Sequence, residues 1–316
     1  MRYFYLLAFA AILQAPFTSH AQSDTSHSDL LAELNKPDNN GKHEPVGATF
    51  ETTRIINGHS VEMTGKGVLD FKISHRFGSI DGGVKQFFGL DGAVTQLTFD
   101  YGVTKWLTVG ASRSTYDKEY EGYGKVRLLT QTADNHMPFT LDYMGAISTT
   151  SNTAPDLGAG VDYKFSYRLC YVNQLLIARK FSERLSLQLM PTIVHYNIVD
   201  LDVQPNNVIA IGAGGRFKLS NRFSLTAEYY YQIPGTDLST DLNKTRNSLS
   251  VGVDIQTGGH VFQLFFSNSA AITERAFIGQ TTDQWSKGQI HFGFNISRIF
   301  QIVHPKEFKG SRNSIY

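Results

Sequence analysis

From Ser248 to Gln256 the chain alternates between apolar and polar residues without a break. Leu249, Val251, Val253 and Ile255 are apolar, and Ser248, Ser250, Gly252, Asp254 and Gln256 between them are polar or tiny. A strand points successive side chains to opposite faces, so this segment has one greasy face and one that tolerates water. The pattern recurs along the chain. Leu97, Phe99, Tyr101 and Val103 alternate with Gln96, Thr98, Asp100 and Gly102; Phe223, Leu225, Ala227, Tyr229 and Tyr231 alternate with Ser224, Thr226 and Glu228. The last such run places Ile290, Phe292, Phe294 and Ile296 against Gln289, His291, Gly293 and Asn295. Repeated about a dozen times between Leu69 and Phe300, this pattern specifies a closed barrel with lipid outside and a polar interior. A soluble β-sandwich also alternates, but many of these runs reach the ~9 to 11 residues of a membrane strand. Aromatics such as Tyr101, Trp106, Tyr171, Tyr229 and Tyr231 also gather near strand ends.

The start of the chain reads as an export signal. Arg2 is a short positive region, Tyr3 to Pro16 an apolar core, and Ser19-His20-Ala21 a small-x-small cleavage site. No Cys stands there for a lipid anchor, and the apolar core is shorter than a membrane helix. Residues 1–21 are therefore expected to be removed. After them no apolar run is long enough for a membrane helix, and the mean hydropathy of −0.21 fits a barrel, since half of each strand faces inward. Without Arg2, the 29 Lys and Arg fall to 28, against 28 Asp and Glu. A neutral chain lacks the basic field that nucleic-acid binding needs. The single Cys170 excludes an internal disulfide and reads as a small buried residue.

Residues 22–66 form a polar lead-in, broken by Pro37, Asp38, Asn39, Asn40, Gly41 and Pro45, and expected either in the periplasm or inside the barrel as a plug. Within it Ala48 to Ile56 has strand character ended by the turn pair Asn57-Gly58. The barrel is expected over 67–301 and a tail over 302–316. Tight turns at Thr104-Lys105, Ser182-Glu183, Ser220-Asn221 and Thr257-Gly258-Gly259 alternate with longer links, for example Gly78 to Ala93 and Asn268 to Lys287. Outer-membrane barrels show this asymmetry, with short periplasmic turns and long external loops. Placing both ends in the periplasm gives an up-and-down antiparallel barrel of about twelve strands; using Ala48 to Ile56 as well gives fourteen. The phase of the strand from Leu185 is expected to slip through a bulge at Pro191.

Several segments, taken in order, carry a family likeness: RIINGHSVE (54–62), SHRFG (74–78), FGLDGA (88–93), YGVTKWLTVGASRS (101–114), QLLIARKFSERLSLQL (174–189), GVDIQTGGHVFQL (252–264) and GFNISRIF (293–300). They resemble a Gram-negative outer-membrane barrel family known as domain of unknown function 5777. The resemblance runs from Arg54 to Phe300 and implies a membrane-bound β-barrel, with no substrate attached.

The inward positions hold the candidates for function: Asp70, Lys72, Arg76, Asp100, Lys125, Arg127, Asp142, Arg168, Arg216, Lys218, Glu228, Asp254 and His291. Such charges are costly against lipid and are expected to line the lumen. Two readings follow. In one they form the wall of a channel for small polar or ionic solutes. In the other they make a salt-bridged network in a plugged, structural barrel. The ten His residues show no metal-ligand spacing, and no cofactor is expected. An enzyme of the outer-membrane lipase kind is set aside: Ser267-Asn268 resembles the Ser-Asn pair of the outer-membrane phospholipases, but Phe265 stands where the His base is needed. The expected partners are outer-membrane lipid, possible small solutes, and the barrel-insertion machinery, whose terminal-strand signal Gly288 to Phe300 resembles.

Overall fold

The computed structural model describes residues 43–153, 163–199, 205–234 and 245–303. The expected signal segment, the first part of the lead-in and most of the tail lie outside them. Among the described residues twelve strands make one closed antiparallel barrel. They are β1 (Val68–Ser79), β2 (Ala93–Gly102), β3 (Leu107–Ser114), β4 (Glu119–Leu129), β5 (Thr140–Thr150), β6 (Cys170–Lys180), β7 (Leu185–Tyr196), β8 (Asn207–Lys218), β9 (Phe223–Gln232), β10 (Ser248–Thr257), β11 (His260–Ser267) and β12 (His291–Gln301). Each pairs with its sequence neighbours, and β1 closes on β12 with Ile73 opposite Ile296. Full closure leaves no sheet edge, which a bilayer requires because it offers exposed backbone groups no hydrogen bonds.

Period two becomes inside and outside. In β9, Ser224, Thr226, Glu228 and Tyr230 are buried, while Phe223, Leu225, Ala227, Tyr229 and Tyr231 are exposed. The outer wall is apolar all round, with Leu189, Leu225, Val251 and Phe266 among its exposed residues. Water would oppose this arrangement; lipid stabilises it.

One end of the barrel carries tight turns and the other mostly longer connections. Two connections differ from that scheme. The β3–β4 link at the long-loop end is only a short 3-10 turn around Tyr116–Lys118. The β4–β5 link at the short-turn end runs from Thr130 to Phe139, and its length is put to use below. At Pro191 the expected phase slip does not occur. Met190 and Thr192 stay buried on either side of an exposed Pro191, and the β7–β8 register runs through Pro191 opposite Ile211. Proline only removes a donor; here β7 tolerates that loss by skipping two rungs with β6, between Gln174–Thr192 and Ile177–Leu189. The register irregularities lie elsewhere, at Arg76/Ser79 and Arg127/Leu129.

Candidate functional site

Residues 43–66 enter the barrel. At the short-turn end the segment is clasped by the long β4–β5 link: Val46 N–H donates to Gln131 O at 3.0 Å and Ala133 N–H to Glu44 O at 2.9 Å. His43 bonds the Asp134 carboxylate. Hydrogen bonds from Thr132 and His43 hold that carboxyl below the ordinary carboxylate range. The chain then runs inward, reverses, and returns. Ile55 N–H donates to Gly58 O at 2.8 Å and Ser60 N–H to Thr53 O at 3.0 Å, with an antiparallel bridge between Arg54 and His59. The product is a finger with its tip at Ile56 and Asn57 and both its ends at the short-turn rim. The strand character of Ala48 to Ile56 is met by its own continuation, folded back, so the segment adds no strand to the twelve of the barrel. Gly58 is needed for space rather than for backbone freedom, because a Cβ there would meet the Tyr230 hydroxyl at 2.0 Å.

The tip is held by inward side chains from many strands, which places it in the lumen. The Glu228 carboxylate of β9 accepts N–H bonds from Ile56 (3.3 Å), Asn57 (2.8 Å) and Gly58 (3.1 Å). Asn57 donates to Ser250 Oγ at 2.8 Å and accepts from Arg76 Nη2 at 2.7 Å. Gln188 of β7 acts like a short piece of strand, accepting from Val61 N–H at 2.9 Å and donating to His59 O at 2.7 Å. Gln263 donates to Ile55 O and Asn295 to Ile56 O, at 2.8 and 2.9 Å. On the opposite wall Lys125 bonds the Ser60 and Glu62 carbonyls and Arg127 the Val61 carbonyl.

Part of the lumen wall is not polar at all. Met144, Val172, Leu176, Met190, Val194 and Ala210 point inward from β5 to β8. They form one cluster with finger residues Phe50, Ile55 and Val61. Removing such surfaces from water stabilises the finger in place.

The long-loop end is filled from above. The β11–β12 connection dips inward and carries a short helix, α1 (Glu274–Gly279), with Ala276, Phe277 and Ile278 fully buried. Phe277 meets Tyr230 edge-on at 5.0 Å, and Tyr196 donates to Arg275 O at 2.6 Å. Thr273 donates to Glu119 at 2.7 Å. Finger and loop then meet: Arg54 Nη1 lies 2.6 Å from Glu274 Oε1, with both side chains buried.

The thirteen candidate residues separate by what they touch. Arg76, Lys125, Arg127, Arg216 and Glu228 bond the finger directly, Arg216 through Glu51 at 2.8 Å. Lys72 lies between Asp70 (2.8 Å) and Asp100; Asp100 also accepts from Thr53 of the finger (3.0 Å) and from Tyr123. Asp142 pairs with Arg127, and Asp254 accepts from Gln263 and Thr226. His291, the first residue of β12, bonds Asp283 and the Phe77 carbonyl. Lys218 is half-buried at the short-turn rim. Arg168 is a correction. It lies in the 3-10 turn Phe165–Arg168 before β6, not on a strand, and bonds Thr150 O at 3.1 Å over the Tyr163 ring. The Leu169 N–H is spent closing that turn onto Ser166 O, so strand pairing starts only at Cys170.

Sequence reasoning missed the finger's anchors Gln188, Gln263 and Asn295, and the apolar inner patch. Both were visible as inward positions carrying amides or bulky aliphatics where a watery wall needs neither. Ser267 is buried and its Oγ bonds the Ser250 hydroxyl and the Ser269 N–H; His291 stands opposite it on β12, but both ring nitrogens of that His bond elsewhere, to the Phe77 carbonyl and Asp283.

Solved structures share the barrel outline at low identity. A KdgM porin is 8% identical, with a TM-score of 0.44 over 74% of this chain and 99% of that one. A NanC porin is 9% identical, with 0.46 over 73% and 98%. An active-site mutant of outer membrane phospholipase A from Escherichia coli is 10% identical, with 0.41 over 87% and 98%. A search of curated proteins found no match. A family profile described as a membrane-bound β-barrel domain, domain of unknown function 5777, matches residues 50–300, and the chain belongs to that family.

Proposed function

We propose that this protein is an outer-membrane barrel whose passage for small polar or ionic solutes is closed from within by its own finger, residues 48–64. Passage requires the finger to withdraw toward the periplasm, the side on which the short turns lie. The observation that carries this reading is the grip of Glu228 on three consecutive tip amides deep in the barrel. A static pore has no use for a carboxylate whose acceptor capacity is taken up by its own backbone. The finger's two ends at one rim favour withdrawal in one piece, since nothing threads through the barrel. Its contacts are mostly polar, and water can replace them when the lumen floods. On this reading the inward charges have two states: ligands of the finger when it is seated, and the wall of the path when it has left.

Conductance in planar bilayers tests this. The full chain is expected to be mostly silent. A chain lacking residues 48–64 and the inward-dipping part of the β11–β12 connection around α1, its barrel shown intact by heat-modifiable gel mobility, is expected to give stable open steps. In that chain Arg216→Ala, which lies in the emptied lumen, is expected to shift ion preference toward cations. A folded barrel lacking both segments that never conducts would leave the structural, scaffolding barrel as the better reading. The buried Arg54–Glu274 link between the finger and the β11–β12 loop favours that second reading, because it ties the two plugs together.

A further inference from the structure

The β1–β2 loop at the long-loop end carries an apolar patch that the barrel does not use. Val84 is 80% exposed, Phe87 60%, Phe88 54% and Leu90 44%. The patch is built rather than loose. Phe87 and Phe88 both hold left-handed backbone, at φ 46° and 54°, which bulky residues rarely adopt. The base of the loop fixes them there. Gly78 N–H donates to Gly92 O at 3.0 Å, Leu90 N–H to Phe87 O at 3.1 Å, and Ile80 N–H to Ile290 O at 2.9 Å. Gly89 lies so close to Gly78 that a Cβ on it would meet the Gly78 carbonyl oxygen at 2.2 Å. The fold thus holds two adjacent phenylalanines in strained backbone, and the result is that they stand out of the protein.

What lies beside them identifies the occupant. From Leu69 to Phe77 the outward residues of β1 cover the ~9 residues a tilted strand needs to cross the hydrocarbon. Phe77 ends that span, stacked at 5.7 Å on Phe292, which in turn meets Phe266 at 5.6 Å. These rings face outward and form an aromatic girdle of the kind that marks a membrane boundary. The loop leaves β1 two residues beyond Phe77, so its apolar patch continues the lipid-facing surface at headgroup depth. Lys85 and Gln86, exposed within the same loop, suit that layer as well.

We propose that the β1–β2 loop is an interfacial foot: Val84, Phe87, Phe88 and Leu90 lie in the headgroup layer of the outer leaflet and fix the barrel's depth at that sector. The occupant is a lipid surface, not a soluble partner.

A site-selective fluorophore tests this. Cys170 is 2% exposed, so an added surface thiol takes the label. The full chain carrying Phe88→Cys is labelled with bimane maleimide and placed in phosphatidylcholine nanodiscs, with acyl chains brominated near the headgroup or left plain. Val84→Cys is the second reporter, because it perturbs the strained pair least. Phe77→Cys marks the lipid-facing reference and Asn221→Cys, in a tight turn, the water reference. Bromolipid quenching at 84 and 88 is expected within about twofold of position 77 and several-fold above position 221, with weak quenching by iodide. Strong iodide quenching with no bromolipid effect at both reporters would overturn the proposal and leave the patch facing water, open to an external protein.

Discussion

Glu228→Gln is the sharpest perturbation of the finger, because it preserves shape and removes only charge and one acceptor. The wild-type carboxylate takes Asn57 N–H on one oxygen and Ile56 and Gly58 N–H on the other. A glutamine keeps at best one of those oxygens. If it keeps the pair to Ile56 and Gly58, each bond loses its charge assistance, about 1 kcal/mol apiece. The Asn57 N–H then faces an amide NH2 and becomes a buried orphan, at about 1 to 3 kcal/mol. The sum is about 4 kcal/mol against the seated finger, or on the order of a thousandfold in its seating equilibrium. Ile55→Cys, in a Cys170→Ala background, reports that equilibrium, since Ile55 is fully buried under the tip. In nanodiscs its reaction with a water-soluble maleimide tracks the open fraction when reseating outpaces labelling. Glu228→Gln is expected to raise the labelling rate by two to three orders of magnitude without altering the heat-modifiable mobility of the barrel. A change of less than about tenfold, far below that estimate, in a folded barrel, would refute the claim that Glu228 anchors the finger.

Three further tests address the other contacts. Glu274→Gln removes the charge beside Arg54, which is buried at 7% exposure and keeps only its bond to the Asn57 carbonyl; a loss of about 3 kcal/mol in urea unfolding is expected. The double change Arg54→Met with Glu274→Met is expected to recover most of that loss, and a purely additive cycle would show that the pair does not couple finger to loop. Gly58→Ala, whose Cβ would meet the Tyr230 hydroxyl at 2.0 Å, is expected to unseat the finger and accelerate Ile55→Cys labelling; adding Tyr230→Phe, which removes the clashing oxygen, is expected to reverse most of the effect. At the rim, the lowered folded-state value of Asp134 stabilises the clasp above the unfolded carboxylate value of about 3.9, and this support is lost as pH falls through the lowered value. Limited proteolysis is expected to find residues 43–46 protected near neutral pH and cleavable in strong acid, while Asp134→Asn is expected to be cleavable at both.

The barrel was legible because lipid on one side makes a strict demand. Leu225 and Tyr229 must be apolar and their neighbours Thr226 and Glu228 need not be, so the alternation gave strand, face and number together. It went wrong where a local device took over the backbone, as when the Leu169 N–H closes a turn and leaves Arg168 outside β6. Pro191 misled for a related reason: a missing donor costs a strand one or two rungs, and the outward apolar face held the phase regardless.

The finger was half legible. RIINGHSVE carries a reversal and apolar residues on both arms, yet its arms pair with each other in only a few places and are otherwise held by side chains. No strand periodicity records a partner of that kind. The inward charges were placed by phase alone, and phase cannot distinguish a lumen filled with water from one filled with chain. The residues between them can. Gln188 bonds one backbone donor and one backbone acceptor of the finger, a geometry an amide matches and a freely solvated wall does not require. Leu176 and Met190, pointing the same way, would be penalised by a watery lumen and stabilise one packed against Ile55 and its neighbours. Inward amides beside inward aliphatics therefore indicate an occupied barrel. Glu228, read from phase as pore wall, becomes in that setting the anchor that holds the occupant.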